Sequence, residues 1–165
     1  MAGVRRLGLT TVDSTGLGRF LALAEGPVLV LDEMAHPWLA TDEAVSSAGG
    51  KTLAVAARTE TPLTRAAELV VPLASWTETD GTYTSSTGRV QLARRAFAPA
   101  GQSVPPWQFL HSLAAGLGLE LSSKAAVEVL YAALAAEFPV FEAVDFGTGG
   151  HRFGLPVDQE VPNVG

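Results

Sequence analysis

VLVLDEMAHPWLATDEAVSSAGGKTLAVAARTETPLTRAAELVVPL, residues 28–73, decides the fold class. It holds three short apolar runs: VLVLD at 28–32, TLAVAA at 52–57 and LVVPL at 69–73. None alternates with polar residues, so each reads as a strand buried on both faces, as in a parallel sheet. Helix signals separate them. Thr41 caps a helix over 42–48, Asp42 and Glu43 sit in its favourable first turn, and Gly49–Gly50 end it. Thr61 followed by Pro62 opens a second helix to about residue 68. Pro72 places the end of the third strand at a sheet edge or rim. Upstream, GLGRFLALAE at 16–25 spaces Leu17, Phe20, Leu21 and Ala24 on one helical face, with a stop at Gly26. This alternation predicts an α/β fold: a partial doubly wound, Rossmann-like parallel sheet of about three strands with right-handed crossovers.

Downstream the pattern changes. Residues 75–103 are rich in Thr, Ser and Gly, and Val90, Leu92 and Phe97 suggest an extended segment after a turn at Gly88. Gly81 and Gly88 permit positive φ, which would let the chain leave the sheet edge and wrap over another surface. Ser103 and Pro105 introduce a helix over 105–117 with Trp107, Leu110, Leu113 and Ala114 on one face, closed by Gly118. Ser122 or Ser123 caps a second helix to Glu137 whose stripe is Val127, Leu130, Tyr131, Leu134 and Phe138. The expected division is an α/β half-domain at 1–74, an extended polar loop and strand at 75–103, a helical segment at 104–142 and an irregular tail at 143–165, together one domain.

The chain has 165 residues, 47% of them hydrophobic, with a net charge of −6, which suits one folded domain and argues against disorder. The acidic balance and scattered basic residues argue against nucleic-acid binding. No uncharged apolar run approaches the ~18 residues of a membrane span, so no direct membrane insertion is expected. There is no cysteine, which excludes thiolate catalysis, disulfides and cysteine-ligated zinc or iron–sulfur clusters.

Local motifs are sparse. No GxxxxGK[ST], GxSxG or HExxH occurs, and GLG at 16–18 lacks the preceding strand and third glycine of a dinucleotide loop. Asp32, Glu33 and His36 lie just past a strand's carboxyl end, where open α/β sheets bind ligands; the alternative is an ordinary polar loop. Glu78 and Asp80 could form an acid–base pair or simply solvate a turn. His111 reads as a helix residue, His151 falls in the tail, and Trp38, Trp76 and Trp107 read as packing anchors.

Residues 67–118 carry a more specific pattern. It comprises Val70-Val71-Pro72, Glu78, Gly81-Thr82-Tyr83, Gly88-Arg89 and Gln91, followed by Pro99, Gly101 and Trp107. Thr59-Glu60-Thr61 precedes it and AAEFPVF at 135–141 follows. This spacing resembles the end of the α/β region of the molybdopterin oxidoreductase superfamily, and in particular the large peripheral-arm subunit of NADH–quinone oxidoreductase, respiratory complex I. In cofactor-bearing relatives the loop lies against the pterin, so the resemblance makes Gly81, Thr82, Ser85, Thr87, Gly88 and Arg89 vestigial pterin-loop positions. Two depart from the family pattern: Ser85 stands where it has Asn, and Thr87 where it has Glu.

The resemblance implies a non-catalytic scaffold piece of a complex I peripheral arm, holding no catalytic residue, metal or cofactor of its own. Tyr83, Arg89, Arg94, Arg95 and Trp107 would then meet other subunits of the respiratory complex. Its place would be cytoplasmic, peripheral to the inner membrane through those partners. Two alternatives stand beside it. One is the pterin-contacting part of a split molybdenum or tungsten formate-dehydrogenase-like enzyme that shares molybdopterin guanine dinucleotide with a partner. The other is an independent α/β domain binding a small ligand through Asp32, Glu33 and His36.

Overall fold

The computed structural model describes residues 13–33, 37–51, 53–84, 90–119, 121, 126–138 and 141. It contains two compact units. One is built on Val12–Glu78 and Phe97–Pro106, the other on Thr79–Ala96 and the chain from Trp107 onward.

The first unit is the predicted α/β layer. Helix α1, Ser14–Leu23, starts two residues before the expected position because the Asp13 side chain accepts the Gly16 N–H. Strand β1 is Val28–Asp32. A 3-10 turn at Pro37–Ala40 leads into α2, Asp42–Ser47, where Thr41 accepts the Ala44 N–H as its capping role requires. Strand β2 is Leu53–Ala57, α3 is Pro62–Ala66 and β3 is Leu69–Pro72. The strands are parallel in the order β1-β2-β3, so β3 is an edge strand and Pro72 lies at its end. Val104 adds one short parallel bridge beside Leu73.

Register divides the sheet into two faces. Val28, Val30 and Asp32 share a face with Leu53, Val55 and Ala57, and with Val70 and Pro72. On that face Leu21 of α1, Leu39, Ala44 and Ala48 around α2, and Leu63 of α3 pack with Val28, Leu53, Val55 and Ala57 into one core. The opposite face carries Leu29, Leu31, Ala54, Ala56, Leu69 and Val71.

Helix α3 is only five residues long, so its start matters. Thr61 Oγ1 accepts the Thr64 N–H, and Thr64 Oγ1 accepts the Thr61 N–H at 2.8 Å in return. Both threonines are buried. Thr61→Ala removes one half of this reciprocal cap and leaves a buried donor unmatched. A loss of about 1–2 kcal/mol is expected in urea denaturation, with Thr61→Ser retaining most of the stability.

Among its described residues the second unit holds a two-stranded antiparallel hairpin and two helices. Strand β4 is Gly81–Thr84 and β5 is Val90–Ala93, paired from Gly81 opposite Ala93 to Thr84 opposite Val90. The sequence predicts β5 as an extended segment but does not predict β4. GTYT carries no apolar alternation, and its strand state comes from pairing with VQLA. Helix α4 is Pro106–Gly116, on which Leu110 is exposed rather than packed. Helix α5, Val127–Glu137, follows Ala126, which makes no side-chain cap. The expected caps Ser122 and Ser123 lie outside the described residues, as does the tail at 143–165. Val90, Tyr131 and Phe141 form the core of this unit, with Val127, Leu134 and Phe138 around them as the helical stripe predicts.

Candidate functional site

The carboxyl ends of β2 and β3 open onto a cleft of about 360 Å3. Ala57, Val70 and Pro72 form its apolar wall, and Arg58, Glu60 and Arg65 its polar rim. The position follows from topology, since parallel strands expose their carboxyl ends to the loops that precede the next helices. Arg65 Nε donates to Glu60 Oε1 in an exposed pair. The Thr64 hydroxyl, also on the lining, is held in the α3 cap and donates to the Thr61 carbonyl. The cleft therefore offers charged and apolar surface, with the Thr59 hydroxyl also on its lining. In the sequence, Thr59-Glu60-Thr61 stands out only as a family element. Arg58 and Arg65 escape sequence reasoning, although the place of Arg58 just beyond a strand end is a usable signal.

The loop after β1 belongs to the same unit. Asp32 ends β1 and is buried, and Glu33 follows it. Burial pushes the Glu33 carboxyl above its ordinary range, partly offset by the Arg58 guanidinium. Arg58 also donates to the Glu33 carbonyl at 3.5 Å. Asp32 and Glu33 thus do stand at a strand's carboxyl end; His36 lies outside the described residues. Among the described residues no group of three or more acidic or histidine side chains is placed to hold a metal ion.

Glu78 has a defined structural task. Its Oε2 accepts the Ser75 N–H at 2.7 Å and its Oε1 accepts the Ala100 N–H at 3.2 Å. The Phe97 N–H meets the Thr77 carbonyl at 3.2 Å, so the same two segments are joined twice. The Ser75 backbone N–H, then the Ser75 side chain, the Ala100 N–H and the Arg58 charge hold the Glu78 carboxyl below its ordinary range. Such a carboxylate stays ionised at neutral pH and is a poor general acid. In Glu78→Gln, only one acceptor oxygen remains. Hydrogen exchange at the Ser75 and Ala100 amides is expected to accelerate markedly, with the β1–β3 amides unchanged.

Asp80 does comparable work in the second unit. Its Oδ1 accepts the Arg95 N–H at 3.1 Å, fastening the open end of the β4–β5 hairpin. Arg94 and Arg95 each approach Asp80 at 3.9 Å, and Arg94 lies 3.3 Å from Glu128 on α5. The Trp107 indole N–H donates to Thr79 Oγ1 at 3.2 Å. Glu78 and Asp80 therefore serve as separate backbone clamps. Tyr83 is 38% exposed on the hairpin. Ser85, Thr87, Gly88 and Arg89 lie outside the described residues.

Gly81 and Thr82 begin β4. Gly81, which would permit a positive φ, does not adopt one here, because it is an extended strand residue paired with Ala93. A Cβ placed there would meet nothing within 4 Å, so the space beside it is open. That space alone does not make a holder for a pterin. In this unit the Asp80 carboxylate, the Arg94 and Arg95 guanidinium groups and the Thr79 hydroxyl are engaged within the chain.

A parallel-sheet α/β layer followed by an antiparallel hairpin defines the class: an α/β domain segment with an appended loop. Residues 53–115 match the family model for molybdopterin oxidoreductase. The chain is 41% identical over 58 residues to the F420-dependent formate dehydrogenase subunit alpha of Methanocaldococcus jannaschii, covering 35% of this chain and 9% of the relative. It is 34% identical over 88 residues to an F420-dependent formate dehydrogenase 2 subunit alpha of Methanococcus maripaludis, covering 52% and 13%. An NADH-quinone oxidoreductase subunit of Rickettsia felis is 32% identical over 79 residues, covering 48% and 12%. The chain thus spans 9% to 13% of the length of these relatives, each of them named as a subunit. Among the described residues no helix is long and apolar enough to cross a membrane.

Proposed function

We propose that the chain is a non-catalytic scaffold piece of a multi-subunit oxidoreductase, of the kind found in the peripheral arm of NADH–quinone oxidoreductase. The observation that carries this reading is the use of Glu78 and Asp80. Both acidic side chains of the pterin-loop region hold backbone amides of their own unit. Both carboxylates are thereby engaged with the chain's own backbone, and the absence of cysteine leaves no thiolate ligand for a redox cluster. In this reading the chain lies on the cytoplasmic side, held at the inner membrane by partner subunits. Tyr83, Arg94, Arg95 and Trp107 meet those partners in this reading, which extends to Arg89, outside the described residues.

A second reading has specific support. Two of the relatives are formate dehydrogenase alpha subunits, and Gly81 leaves open space beside the loop. Here the chain would supply one wall of a molybdopterin guanine dinucleotide site completed by a partner. Native purification of the chain with mass spectrometry of what accompanies it tests both. The scaffold reading expects NADH–quinone oxidoreductase subunits. Formate dehydrogenase subunits would favour the second reading, and a stable monomer recovered alone would contradict both.

A further inference from the structure

We draw no further inference here: the strongest candidate, the exposed apolar patch that Leu110, Leu117 and Leu119 form along α4 and just beyond its carboxyl end, carries none because nothing in the structure shows what covers it.

Discussion

Leu63→Ala is expected to destabilise the α/β unit by about 2–5 kcal/mol, the range for truncating a buried leucine. Leu63 is 1% exposed and packs with Leu21, Val55 and Ala57, where the helices meet the sheet. The neighbouring core residues Ala44, Ala48 and Ala57 are small and cannot swing into the vacated volume. The cavity term therefore adds to the lost transfer energy, placing the cost in the upper part of the range. Domains of this size have roughly 5–15 kcal/mol in hand, so the variant should unfold at a clearly lower urea midpoint. Leu63→Met, which nearly conserves volume, should cost less than ~1.5 kcal/mol. Equal losses for the two variants would mean that Leu63 acts through something other than packing.

Tyr131→Ala should be comparably damaging to the hairpin unit, at about 3–5 kcal/mol for loss of a buried aromatic. Tyr131 is 8% exposed, meets the Phe141 ring edge-on at 6.3 Å and donates from its hydroxyl to the Phe141 carbonyl at 2.7 Å. Among the described residues, Val90 and Phe141 share its buried core, so little remains to replace it. Tyr131→Phe keeps the ring and loses the hydrogen bond, at about 1 kcal/mol or somewhat more because the carbonyl loses its partner. Burial raises the Tyr131 pKa from 10.0 to about 12. The folded value lies above the unfolded one, so its contribution to stability is complete below pH 10.0 and declines as pH rises towards about 12. The alkaline loss should be smaller in Tyr131→Phe, as measured by denaturation across that range.

The α/β unit is legible in the sequence because its signals are local. Thr41, Thr61 and Pro62 mark helix starts, and three uninterrupted apolar runs admit few arrangements other than a covered parallel sheet. The hairpin is not legible in the same way. GTYT becomes a strand through its partner at 90–93 and the neighbouring clamp at Asp80, and neither contact is encoded in its own composition. The candidate site divides along the same line. Asp32 and Glu33 are visible from their place after β1. The cleft of Arg58, Glu60 and Arg65 depends on which strands are neighbours, and the clamp made by Glu78 depends on the return of the chain at Ala100. A carboxylate in a turn looks the same in sequence whether it is solvated, catalytic or, as with Glu78, bound to two amides.

Whether the chain serves as scaffold without holding the cofactor is tested most directly by metal content. The measurement is the molybdenum and tungsten per chain in the natively purified assembly, by elemental mass spectrometry. The scaffold reading predicts far less than one metal per chain, in an assembly that retains its oxidoreductase subunits. One molybdenum or tungsten per chain, lost together with this chain when it is removed, would contradict it.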